Sequence, residues 1–345
     1  MRRTDVPILD LPKPRRYRAA MSRRSVCLLG IALGMFLMPL RSPAPLVYTP
    51  GEGWTYEAVG GGGKWQRATA KEQMAVAQAA YDQQNFSLAR KAAARLVRTW
   101  PLSDYAPQAQ YMVGLAYEAE HEDERAFKEY QKVFDNYPRS DKLGDVVRRQ
   151  YQITLRFLAG QRFKLWGWIP LFSDMDKTAG MFEKIVASGP YSAVGPSAQL
   201  RIGAARERQK NYPEAVTAYE RAADRYHDLP VIAADALFRT GISYHKQAQR
   251  AGYDQGTAGQ AIATFTDFMT LYPNDKRVGE AKRIITALKE EQARGNYMIA
   301  TFYEGRKRWN GALIYYNAVG PNSRYTPIAL QRMEQIKKYI AGTPP

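Results

Sequence analysis

The chain holds one cysteine, Cys27, and three histidines, His121, His227 and His245, among 345 residues. A thiol nucleophile needs a base beside it, and a structural zinc site needs four such ligands. A single cysteine makes neither an intrachain disulfide nor a cysteine cluster. The histidines fall at a turn, at a helix end and inside a helix, with no partner at ligand spacing. The run GGGGKW is not a phosphate loop: the first glycine is missing, and Trp65 follows Lys64 where Ser or Thr is required. With no nucleophile and base, no metal set and no cofactor loop, the sequence reads as a non-enzymatic chain that takes no cofactor and no metal. What it offers instead is recognition chemistry. There are 23 tyrosines, and a ring that carries a hydroxyl grips an extended peptide without demanding one sequence.

The tyrosines sit on paired helices that recur. From Gln108 to Pro138 the text reads QAQYMVGLAYEAEHEDERAFKEYQKVFDNYP. Gly114 and Tyr117 share a face of one helix; Ala126, Tyr130 and Val133 form an i, i+4, i+7 stripe on the next; Pro138 stops it. Twelve residues before the stopping prolines stand Ala89, Ala126, Thr178 and Ala261. Eight before stand Ala93, Tyr130, Phe182 and Phe265, and five before stand Leu96, Val133, Ile185 and Phe268. Two further copies keep the frame as Ala215, Tyr219, Ala222 and as Ala312, Tyr316, Val319. Small residues Ala77, Gly114, Gly203 and Ala300 lie twenty-four before the stop, whereas Gly241 lies thirty-two before Pro273 and so marks an eight-residue insertion. A period of about 34 residues with this pattern is a tetratricopeptide repeat. The fold class is therefore all-α: a superhelix of about six helix pairs, each too small to bury its own apolar face alone. Between Leu143 and Ala159 the frame breaks, with Arg148 where a small residue is expected.

Such a solenoid lines its concave face with its first helices. The groove positions predict a peptide or partner site at Met74, Gln78, Tyr81 and Asp82 of the first copy. The second offers Gln108, Tyr111, Leu115 and Glu118, and the third offers Arg149 and Gln152. The alternative for any one tyrosine is packing between copies. Gly114, Ala126, Gly203, Ala215 and Gly241 are read as packing residues at close helix crossings.

The formal net charge is +17, of which residues 1–44 supply +7 and residues 45–345 the remaining +10. A basic solenoid attracts anionic surfaces, but no nucleic-acid module accompanies the charge, so no nucleic-acid partner is expected. Residues 1–44 read as a signal peptide or signal anchor, with an apolar run from Val26 to Leu40 between arginines. That run is short against the roughly 20 residues of a span. Export with cleavage and an uncut anchor both fit, as do starts at Met1 and Met21. Cys27 opens the run rather than closing it, a poor place for acylation. Residues 45–68 have linker composition. The repeats occupy 69–340, with insertions near 160–172 and 249–259, before a tail at 341–345. The first insertion carries Phe163, Leu165, Trp166, Trp168, Ile169, Leu171 and Phe172 beside Arg162 and Lys164. It reads either as a partner or membrane loop or as a loop folded onto its own repeat. The second is polar and reads as a solvated turn.

The number and order of the copies carry a family likeness. The opening AYDQQNFSLARKAAARLVRTWPLSDYAPQAQYMVGLAYE, the fifth copy from GISYHKQAQR to AKRII, and the final GNYMIATFYEGRKRWNGALIYYNAV resemble the BamD family, the tetratricopeptide component of the outer-membrane β-barrel assembly machinery. The resemblance covers about residues 69–340. It implies a scaffold at the periplasmic face of the outer membrane. The implied partners are a BamA-like barrel, other assembly subunits and unfolded outer-membrane proteins, whose aromatic C-terminal segments the groove would hold. The other reading is a periplasmic adaptor for division, pilus or secretion, or peptidoglycan machinery. Location in the periplasm or on the inner membrane goes with that reading.

Overall fold

The computed structural model describes residues 46–49, 53–56, 65–165, 169–170, 173–250 and 254–342. The apolar run of residues 26–40 and Cys27 lie outside them. Two compact units separate at Glu57 and Ala58. In the first, β1 (Leu46–Thr49) and β2 (Gly53–Tyr56) pair antiparallel, Leu46 opposite Tyr56 and Thr49 opposite Gly53. Two paired strands thus stand where composition alone suggested a linker.

The second unit contains thirteen helices among the described residues: α1 (Ala70–Asp82), α2 (Phe86–Thr99), α3 (Ala106–Ala119), α4 (Asp123–Asn136), α5 (Leu143–Ala159), α6 (Met175–Ser188), α7 (Gly195–Arg208), α8 (Tyr212–Arg225), α9 (Pro230–Arg250), α10 (Gln255–Leu271), α11 (Val278–Gly305), α12 (Trp309–Asn317) and α13 (Thr326–Gly342). They form six antiparallel pairs, and α13 covers the last. This is the tetratricopeptide-repeat α-solenoid that the sequence indicated. Local chemistry sets the helix ends. Thr69 and Asn85 accept the first free N–H groups of α1 and α2. Prolines open α3, α7 and α8 where a missing N–H costs nothing. The turn inside a pair passes through a left-handed residue, Gln84, His121, Lys210 or Lys307. In the third copy Gly160 takes that conformation, at φ +115°.

The core lies between the two helices of each pair and continues from copy to copy. Tyr130, Phe157, Phe182, Tyr219, Phe265, Phe268 and Tyr316 are its large buried rings. The glycines sit where expected. A Cβ on Gly114 or Gly203 would collide with the ring of Tyr130 or Tyr219, and one on Gly241 would lie 2.8 Å from Phe265. Buried glutamines bind the first, second and fourth pairs from within. The amides of Gln73, Gln110 and Gln199 donate to the carbonyls of Ala92, Glu129 and Ala218, each nineteen residues on.

The insertions differ from the sequence reading. At 249–259, Gln249 and Arg250 end α9 and Gln255 to Gly259 begin α10, so the added residues lengthen two helices. In the third copy the frame is restored at Gln150 and Thr154, not at Arg148. Thr154 is fully buried, and Tyr151 meets Phe182 edge-on at 5.9 Å, at a separation like the 5.7 Å between Tyr111 and Tyr130. Gln150 turns its amide backwards, to the Phe127 carbonyl of the preceding copy at 3.3 Å. The 160–172 insertion separates α5 from α6, so counting back from Pro190 misses the frame.

Candidate functional site

The groove positions converge on a polar rung between the second and third copies. On α3, the Glu118 carboxylate accepts from the Tyr130 hydroxyl of α4 at 2.8 Å. It also accepts from two arginines of α5, Arg149 at 3.2 Å and Arg156 at 3.4 Å. Arg149 Nε donates to the Tyr111 hydroxyl at 2.9 Å. Tyr81 lies in the same neighbourhood: burial raises its phenol pKa most, and the charges of Arg149 and Glu118 act on it as well. So Tyr81, Tyr111, Glu118 and Arg149, chosen from sequence on three copies, are brought together. The polar atoms of Tyr111, Glu118 and Arg149 are largely spent on one another. Tyr111 is half-buried against Tyr130, which favours the packing role for that ring.

The other groove positions fall apart from this rung. Met74 is buried in the first copy, and Leu115 is half-buried against the core. Gln78 donates to Asp82 at 2.9 Å on the exposed face of α1. Gln108 and Gln152 are exposed. These polar side chains, with Tyr81, leave a partner something to contact.

The rung repeats. The Tyr219 hydroxyl donates to Glu207 at 2.7 Å and the Tyr316 hydroxyl to Glu304 at 2.5 Å. Each tyrosine follows its glutamate by twelve residues. In each case the next helix of the stack supplies a cation: Lys246 and Arg239 reach Glu207 at 3.1 and 3.9 Å, and Arg332 pairs with Glu304. Burial, then the adjoining carboxylate, pushes the phenols of Tyr130 and Tyr219 well above the ordinary value of 10.0. Burial and the hydrogen bond to Glu304 do the same to Tyr316. The groove reading missed these rungs. Their signal was a glutamate four residues after each small residue and a tyrosine twelve after that.

The base of the first insertion is fastened to the second copy. Asp123, buried at the start of α4, accepts from Arg156 through both oxygens at 2.6 and 2.9 Å, and from Gln161 at 2.7 Å. Lys164 reaches Glu122 at 3.1 Å and the His121 carbonyl at 3.2 Å. Phe163 is buried and stacks on Phe157 at 4.2 Å, so this residue folds onto its own repeat. Beyond it, β3 (Lys164–Leu165) pairs antiparallel with β4 (Ile169–Pro170). Trp166, Trp168, Leu171 and Phe172 lie outside the described residues. A cavity of about 410 Å³ opens beside the base, lined by Glu122, Asp123, Arg125, Lys128, Arg162 and Lys164 among others. Charges of both signs surround it. Among the described residues, no helix is long and apolar enough to cross a membrane.

Comparison with known proteins places these copies. Residues 108–140 match the tetratricopeptide-repeat family model, and residues 172–320 match a family model described as an outer membrane lipoprotein, YfiO. An outer membrane protein assembly factor BamD from Caulobacter vibrioides is 26% identical over 163 residues. The match spans 46% of this chain and 53% of that protein, so the chain covers about half the length of its curated relative. Among solved structures, the C-terminal part of a TPR repeat-containing protein from Cytophaga hutchinsonii has a TM-score of 0.36 at 15% identity, covering 76% of this chain and 88% of that one. The MamA protein has a TM-score of 0.34 at 12% identity, covering 59% and 92%. The resemblance to the BamD family therefore stands, carried by the match of residues 172–320 to that outer-membrane lipoprotein family model.

Proposed function

We propose that this protein is a non-enzymatic scaffold of the outer-membrane β-barrel assembly machinery, held at the periplasmic face of the outer membrane. The match of residues 172–320 to the outer-membrane lipoprotein family carries the reading. Those residues run from the end of the first insertion to the end of α12, so the likeness lies on a run of consecutive copies. In this reading the solenoid docks on the periplasmic domains of a BamA-like barrel. The groove of the first three copies, at Gln78, Tyr81, Asp82, Gln108 and Gln152, receives extended segments of unfolded outer-membrane proteins. The Glu118 rung supports that use: it fixes the angle between the second and third copies, and a groove of fixed shape binds a peptide at lower entropic cost.

The test is affinity capture of the C-terminally tagged chain from its native membranes in mild detergent, read by mass spectrometry. A stoichiometric outer-membrane barrel with periplasmic repeat domains is expected. Recovery with cell-wall or secretion proteins, and no barrel, would instead establish the general periplasmic adaptor.

A further inference from the structure

We propose that the end of the last helix pair, where α11, α12 and α13 converge, docks on the headgroups of an anionic phospholipid bilayer. The site is distinct from the groove and from the first insertion, and it stands apart from the assembly reading. Three helix ends meet there. Trp309, the first residue of α12, packs on Tyr339 near the end of α13 at 5.0 Å between ring centroids. The turn before it, Arg306 to Arg308, follows the end of α11 directly.

Two independent features coincide at this end. The first is charge. Arg306, Lys307 and Arg308 on the turn, and Lys337 and Lys338 on α13, are all exposed. Residues 295–345 hold seven Lys or Arg and only two acids, Glu304 and Glu334. Glu304 is already committed to Tyr316 and Arg332. The second copy is the opposite: seven acids and three cations lie between Ala106 and Pro138. The last copy is therefore basic where the second is acidic.

The second feature is apolar. Phe302 is 54% exposed, Tyr339 54% and Ile340 38%, and all three flank the cations. Arg306 lies over the Phe302 ring at 3.8 Å. Aromatic and aliphatic side chains that project beside a cluster of cations match the boundary between lipid headgroups and acyl chains. The rings enter the boundary while the cations meet phosphate. An acidic protein surface would match the cations, but would use Phe302, Tyr339 and Ile340 only if it also offered apolar pockets for them. Each Lys or Arg near an anionic leaflet adds to the attraction, so five of them act together.

The experiment uses the full chain with Cys27→Ser, so that one introduced cysteine carries an environment-sensitive fluorophore. The label is placed by Phe302→Cys or, as a distant control, by Leu102→Cys. Vesicles are phosphatidylcholine alone or with one quarter phosphatidylglycerol. Any binding through the apolar run near the N-terminus is common to both labels, so their difference reads local contact. A blue shift, with quenching by spin-labelled lipid, is expected at position 302 on the anionic vesicles and not at position 102. Four charge reversals, Lys307→Glu, Arg308→Glu, Lys337→Glu and Lys338→Glu, should weaken it about tenfold or more, with helicity by circular dichroism unchanged. No shift at 302, equal shifts at both positions, or a shift that survives the reversals would overturn the proposal. So would a shift produced by poly-glutamate and not by vesicles, which would assign the end to an acidic protein.

Discussion

The second and fifth copies solve one packing problem in two ways. Both cross their helices at a glycine beneath an aromatic ring: Gly114 under Tyr130, and Gly241 under Phe265. In the second copy the ring carries a hydroxyl, and Glu118, four residues after the glycine, accepts it. In the fifth the ring is phenylalanine and the same place holds His245. The third copy follows the fifth, with Phe182 and Leu158; the fourth and sixth follow the second, with Tyr219 and Glu207 and with Tyr316 and Glu304. Hydroxyl and carboxylate come and go together. A buried hydroxyl without an acceptor is costly. A sheltered glutamate without donors is costly for the same reason. What the pair adds is a connection onward, because its carboxylate also binds a cation of the next helix. The glycine crossing closes a copy; the rung ties it to its successor.

The comparison is open to breaking at several points. Gly114→Leu forces a side chain into the Tyr130 ring and should cost about 3 kcal/mol by overpacking. Urea unfolding should show a comparable loss for Gly241→Leu; tolerance in either copy would deny a shared crossing. Glu118→Leu should cost about 2 kcal/mol, since it strands the Tyr130 hydroxyl and two arginines. Adding Tyr130→Phe, which rebuilds the dry arrangement of the third copy, should recover part of that loss. If the two changes simply add, hydroxyl and carboxylate are not coupled. In the fifth copy, Phe265→Tyr should cost about 1 kcal/mol by burying a hydroxyl with no carboxylate to receive it, and His245→Glu should restore it.

The smallest effect is in the pH dependence. The phenols of Tyr130, Tyr219 and Tyr316 are raised in the folded chain above the ordinary value of 10.0. Their contribution to stability is therefore complete below pH 10 and is lost as pH rises above it, because the unfolded chain then releases protons that the folded chain retains. In an alkaline titration followed by tyrosinate absorbance, these three should ionise only as the helices unfold. Three extra tyrosines that titrate near pH 10 with helicity intact would show that the rungs are open.

Much of the fold was legible because prolines, small residues and aromatics repeat at spacings that two packed helices require. Gly241 was placed at a close helix crossing for that reason. The third copy was not placed in frame, since its insertion lies between the two helices and shifts the proline away from Thr154. The glutamine signal, present at Gln110, Gln150 and Gln199, would have restored the frame. The candidate site was legible in its parts: Tyr81, Tyr111, Glu118 and Arg149 were all named, but as independent groove contacts. That Tyr111 and Glu118 spend their polar atoms on Arg149 depends on its reaching back from α5.

The sequence by itself determined that this chain is a solenoid of helix pairs. A repeat that cannot bury its apolar stripe must stack, and the stripe is written in residue types. It also set where helices cross closely, since only glycine or alanine leaves room under a ring. The tertiary structure alone decided which copies are joined by a polar rung and where the arginines end. Those contacts span twenty-eight to thirty-nine residues, and they depend on the angle between successive copies. No periodicity within a single copy encodes that angle.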